Sequence, residues 1–118
     1  MPSIENDTLN YDNLLAGAAD FTILEIGTVD EAGEVKRGTV LGRVSATNTF
    51  KICKDANDDG SNVPVAILAE DLPAGASNKD KYIYLSGKFN KDAVIFDAGV
   101  ANKNKAKIEL HSNSIFLR

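Results

Sequence analysis

The sequence predicts a mainly β protein, and three observations lead there. From Phe21 onward, short segments rich in branched and aromatic residues alternate with clusters of Gly, Asp, Asn, Ser and Pro, the punctuation of strands and turns. One segment, Val65-Ala66-Ile67-Leu68-Ala69, is apolar without a break, as a strand buried on both faces is. With 118 residues, 43% of them hydrophobic, the chain has material for one modest core and no second domain. The expected organisation is an N-terminal arm over residues 1–20 and a single β-rich domain over residues 21–118.

The arm comes first because residues 1–20 carry Asn, Asp and small residues with only scattered apolar points, Ile4, Leu9, Tyr11, Leu14 and Leu15. A short helix over residues 11–18 competes there with an extended chain, since Gly17 and the Asx residues weaken the helix. Apolar anchors on such an arm point to a partner, against the plainer reading of a tail with no role.

Strands follow in quick succession. Phe21-Thr22-Ile23-Leu24-Glu25-Ile26 is the first, and Gly33 offers a positive φ for a turn into Val35 and Lys36, which reads as an edge hairpin. Thr39-Val40-Leu41-Gly42-Arg43-Val44 and Thr49-Phe50-Lys51-Ile52-Cys53 are the next two, joined by the polar turn of residues 45–48. Residues 63–69 form the expected central strand, with Pro64 at its start unable to donate a ladder hydrogen bond. After a loop with Pro73 and Gly75 comes the strand of residues 81–89. Residues 102–111 stay open between helix and strand, because good helix formers sit in a segment where Ala106, Ile108 and Leu110 also alternate. The apolar ending Ile115-Phe116-Leu117 is expected to pack.

Charge and chemistry narrow the function classes. Residues 1–35 hold eight of the seventeen acids and no Lys or Arg; the other nine acids and all thirteen bases follow. An acidic leading segment is the wrong sign for phosphate, so no nucleic-acid partner is expected. No apolar run approaches the roughly 20 residues of a membrane span, so no membrane is expected either, and with no secretory pattern at the N-terminus the protein is expected to be made in the cytoplasm. The single cysteine, Cys53, and the single histidine, His111, make a nucleophile pair formally possible, but both read as structural or surface positions. Asp55-Ala56-Asn57-Asp58-Asp59-Gly60 matches the opening of a calcium loop, yet the twelfth position, where the loop needs a bidentate Glu, is Ala66. The plainer reading is a polar hairpin connection in which Asx side chains and Gly60 reverse the chain. Gly38 and Gly42 lack the partners of a phosphate loop and read as bulges or tight packing points. No catalytic constellation, metal site or cofactor is expected.

Family resemblance carries the reading further. Lys36-Arg37-Gly38-Thr39-Val40-Leu41-Gly42-Arg43-Val44, then Asp59-Gly60-Ser61-Asn62-Val63-Pro64-Val65-Ala66-Ile67-Leu68-Ala69-Glu70-Asp71, resemble the lambda-type bacteriophage head decoration protein family. Tyr84-Leu85-Ser86-Gly87-Lys88-Phe89-Asn90 and the apolar ending are similar too, in the same order. The likeness covers residues 36–118; Asn102, Asn104 and Ser112 depart from its helix pattern. It implies a small β-clip or β-tulip domain with one or two short helices near the C-terminus, and a helix over residues 102–111. It further implies a homotrimer that binds the major capsid protein at local three-fold positions on the outer surface of the virion head. The protein would act as a cement against internal DNA pressure, with Ile4, Leu9, Tyr11, Leu14 and Leu15 as capsid-binding anchors on an extended arm. The competing class is another β-rich phage structural or adaptor protein that binds a partner through the same arm.

Overall fold

Branched and aromatic residues build six strands and one helix in the computed structural model, which describes residues 22–117. In chain order these are β1 (Ile23–Thr28), β2 (Val40–Val44), β3 (Thr49–Ile52), β4 (Pro64–Leu68), β5 (Asp80–Phe89), α1 (Lys103–Ser112) and β6 (Ile115–Leu117). The strands pair antiparallel in the order β1-β5-β4-β2-β3, and β6 adds to the end of β5 in parallel. The fold is therefore mainly β, with a single helix among the described residues.

The sheet curls until its two outer strands meet. Val29, just past β1, bridges Phe50 of β3, and the Asp30 N–H donates to the Phe50 carbonyl at 2.7 Å. The Glu31 carboxylate then accepts from the Ile52 N–H at 2.9 Å. A side chain thus takes over the ladder where the two strands diverge.

Curling gives the sheet two apolar faces, and strand alternation assigns residues to each. Leu41, Phe50, Ala66, Leu68 and Ile83 point to the concave interior with Val29, Val35 and Leu72. Val40, Ile67 and Tyr84 point the other way, into a second core roofed by Val94, Val100, Ala106, Leu110 and Ile115. β4 lies third of the five strands in the order and is buried on both faces, as its apolar run predicts. The helix resolves the open segment of residues 102–111, and Asn102, which departs from the family's helix pattern, is its N-cap, accepting from the Lys105 N–H at 3.0 Å.

Three expectations need correction. The first strand starts at Ile23 and runs to Thr28, and it pairs with β5 rather than forming an edge hairpin with Val35. Val35 instead exchanges two backbone hydrogen bonds with Leu72, at 2.9 and 2.8 Å, because both side chains belong in the concave interior. Gly33 is not at positive φ; Gly75 is, and its N–H donates to the Ala32 carbonyl at 3.0 Å. Residues 55–62 are not a hairpin connection either. β3 and β4 flank β2 on opposite sides and run parallel to each other, so the loop crosses over β2 without reversing the chain.

Gly42 is what lets the loop cross. A Cβ there would overlap the Ser61 backbone, so only glycine permits this approach, and the β2–β4 register shifts at the same point. The expected role of a packing point and bulge holds for Gly42.

Candidate functional site

The surface most suited to a partner grows out of β1. Gly27 sits on its inner face, where a Cβ would come within 2.7 Å of the Phe50 ring and 2.8 Å of Ile83. The interior therefore has no room for another side chain on this strand. Apolar residues of β1 that face outward find less cover. Leu24 lies opposite Tyr84 and packs against the core beneath the helix. Ile26 lies opposite Tyr82, one step beyond that cover, and the two remain 62% and 46% exposed. Thr28 closes the row, its hydroxyl donating to Asp80 at 2.6 Å.

β1 is also the end strand of the sheet order. Among the described residues its seam with β3 forms at Val29 and Asp30, past the strand proper. An exposed apolar pair beside a sheet edge is a feature that strand-adding partners use. The sequence reading missed Ile26 and Tyr82 as surface residues, because strand alternation alone does not tell which apolar face lacks a roof.

A second surface lies between α1 and β6. Ala106 and Leu110 turn inward, leaving Lys107, Ile108 and His111 to form one wall of a groove of about 410 Å³ with Ile115, Phe116 and Leu117 opposite. His111 meets Phe116 edge to face at 4.6 Å.

The two residues that formally make a nucleophile pair lie apart. Cys53 is buried in the core and lines a different, polar pocket on the far flank of α1, with Asp55, Lys105 and Glu109. Burial pushes its thiol up to about 11, with the carboxylates of Asp55, Glu109 and Asp97 adding to the effect. A thiol held protonated at neutral pH and hydrogen-bonded to the Asn62 carbonyl at 3.5 Å is a packing group, not a nucleophile.

The calcium-like loop engages its polar side chains in hydrogen bonds to neighbouring protein groups. Asp55 accepts from the Ala101 N–H at 2.9 Å, and Asn57 donates to the Ile52 carbonyl and the Ser61 hydroxyl. Asp59 accepts from the Ser61 hydroxyl at 2.5 Å and from its N–H at 3.1 Å, and these bonds hold its carboxyl below the usual range. Lys51 pairs with it at 3.6 Å. The loop is a clasp over β2. Among the described residues no group of three or more His, Cys, Asp or Glu is placed to hold a metal ion, and no helix is long and apolar enough to cross a membrane.

The expected anchors Ile4, Leu9, Tyr11, Leu14 and Leu15 lie outside the described residues. Comparison with curated proteins returns no match. The family model for bacteriophage lambda head decoration protein D, in contrast, matches residues 3–115, which include β1 to β5, α1 and the start of β6. The chain belongs to the bacteriophage lambda head decoration protein D family.

Proposed function

We propose that this protein is a non-enzymatic cement on the outside of the expanded phage head, binding the major capsid protein as a homotrimer at local three-fold positions. Family membership supplies the capsid. The observation that supports the mode of binding is the exposed pair formed by Ile26 of the end strand β1 and Tyr82 of β5 beside it.

The mechanism is mechanical. Packaged DNA presses outward on the shell, and a trimer bridging neighbouring capsomers adds contacts that must break before the shell opens. A ligand that binds the expanded lattice and not its precursor stabilises the expanded state by mass action. The arm adds a strand to an exposed edge of the capsid protein, its main chain supplying affinity and Ile4, Leu9, Tyr11, Leu14 and Leu15 the side-chain anchors. Residues 21–118 remain as the folded body that the arm tethers.

The test is occupancy. Purified protein mixed with expanded, undecorated heads should give cryo-EM density at local three-fold positions, and deletion of residues 2–20 should abolish it while thermal unfolding and oligomeric state stay unchanged. Bare heads at saturating intact protein would favour the adaptor class, and full occupancy by the truncated chain would remove the arm from the mechanism.

A further inference from the structure

We propose that Asp59–Gly60 is a latent site of isoaspartate formation, which the hydrogen bonds from Ser61 keep closed in the folded protein and which reacts only when the crossing loop lifts off β2. This is a covalent property of the chain itself and stands apart from what the protein binds on a phage head.

The sequence supplies the reactivity. Asp59–Gly60 is the only Asp–Gly step in the chain, and no Asn precedes a glycine. Glycine has no Cβ to screen its amide, so the Gly60 nitrogen is the one best able to attack the Cγ of the side chain before it. In the first step the N–Cγ bond forms, and the carboxyl hydroxyl leaves with the amide hydrogen as water, giving a five-membered succinimide. In the second step a solvent water adds back. Opening at Cγ restores aspartate. Opening at the Asp59 main-chain carbon leaves the chain running through Cβ and Cγ, with the former backbone carbonyl as a free carboxylate. Water is the only co-reactant, and the half-buried Asp59 side chain lies within its reach.

The fold opposes the first step in two ways. One is the state of the carboxyl. Its Oδ1 accepts from the Ser61 hydroxyl at 2.5 Å and from the Ser61 N–H at 3.1 Å, and Lys51 stands 3.6 Å from Oδ2. Ser61 is fully buried and its oxygen accepts from the Asn57 amide at 2.9 Å, so the hydroxyl hydrogen is committed to Asp59. These bonds hold the carboxyl below the usual range, and an ionised carboxylate has no hydroxyl to lose.

The other is confinement. The Asp59 carbonyl accepts from the Ser45 N–H at 2.9 Å. Gly60, at a φ of +104°, lies so close to the end of β2 that a Cβ would overlap the Ser45 hydroxyl and come 2.8 Å from the Arg43 carbonyl. Ring closure takes the carboxyl away from Ser61, and the isoaspartyl product adds a carbon to a main chain that is pinned on both sides. Reaction therefore proceeds from the open loop, and its rate in the folded protein is the unfolded-chain rate multiplied by the open fraction.

The experiment is ageing of the full chain at mildly acid pH, folded in buffer and unfolded in guanidinium chloride. Isoaspartate is located by peptide mapping with backbone fragmentation and counted by enzymatic methylation. The unfolded chain should accumulate it at Asp59 ahead of every other position, and the folded chain should do so at least on the order of tenfold more slowly. Ser61→Ala should raise the folded rate several-fold and Lys51→Gln by less, with thermal unfolding showing that each variant is folded during ageing. Should loss of the buried Ser61 hydroxyl unfold the chain, Lys51→Gln decides, with hydrogen exchange at the Ser45 amide reporting loop opening directly. Equal rates in the folded and unfolded chain would overturn the protection. Isoaspartate that does not concentrate at Asp59 in the unfolded chain would overturn the site. A folded rate unmoved in every variant that folds would overturn the role of these bonds.

Discussion

β4 and β1 belong to one sheet and are both rich in apolar residues, yet they end in opposite environments. β4, Pro-Val-Ala-Ile-Leu, has β5 on one side and β2 on the other, with a core on each face, and its Ala66, Ile67 and Leu68 are fully buried. β1, Ile-Leu-Glu-Ile-Gly-Thr, is an end strand with a core on its inner face and a partial roof outside, and Ile23 and Ile26 are left to solvent. Apolar content that is buried in the middle of a curled sheet is left exposed at its end. The helix and the loop of residues 90–100 decide the difference, since they roof Ile67 and Tyr84 and stop short of Ile26 and Tyr82.

The comparison breaks first under truncation. Ile67→Ala removes a fully buried side chain from the centre of the outer core and should cost about 2–5 kcal/mol, measured by urea unfolding. Ile26→Ala should stay within about 0.5 kcal/mol. Equal costs would mean that β1 is core after all. Next comes Gly42→Ala, which sets a methyl against the Ser61 backbone and should cost about 1–3 kcal/mol by the same measurement. The loss should fall on the β2–β4 ladder, seen as faster hydrogen exchange there. A neutral substitution would show that the crossing loop is not held tightly against the sheet.

Cys53 sharpens the contrast from within the buried core. Its thiol titrates near 9 in an unfolded chain and is pushed up to about 11 in the fold. The folded state therefore holds this proton more tightly. The contribution to stability is complete below pH about 9 and is lost as pH rises through about 11. Stability measured from pH 8 to 11 should fall more steeply for the natural protein than for Cys53→Ala. Parallel curves would mean that the thiol is better solvated than its burial beside Ile67 and Ala106 implies.

How far the sequence could be read follows the same division. β2, β3, β4 and β5 were legible because branched and aromatic content and polar turns are local signals, and the run at residues 65–69 correctly marked the centre of the sheet. Pairing was not legible. Nothing local in residues 30–36 shows that Val35 bonds to Leu72, and nothing in residues 55–62 shows that the loop crosses β2; both depend on strand order, which long-range burial decides. The helix was ambiguous from pattern because Ala106, Ile108 and Leu110 fit both periods. Packing resolves it by burying Ala106 and Leu110, four apart, and exposing Ile108 between them. The surface reading failed for the matching reason: Ile26, Tyr82 and Ile108 look like core residues to any scale of hydropathy.

The finest test of that last point separates stability from binding at one pair of residues. Ile26→Thr with Tyr82→Thr keeps branched, strand-favouring side chains opposite each other while removing most of the apolar surface. Because Ile26 is mostly in water and Tyr82 nearly half so, limited burial is lost on the substitution, and the unfolding free energy should change by under about 1 kcal/mol. Under the cement reading the same double variant should show several-fold lower occupancy on expanded heads, since the apolar surface it loses is buried only when a partner covers it. A large loss of stability would return the pair to the core. Unchanged stability with unchanged occupancy would leave the exposed Ile26–Tyr82 pair outside the capsid contact and confine recognition to the expected arm.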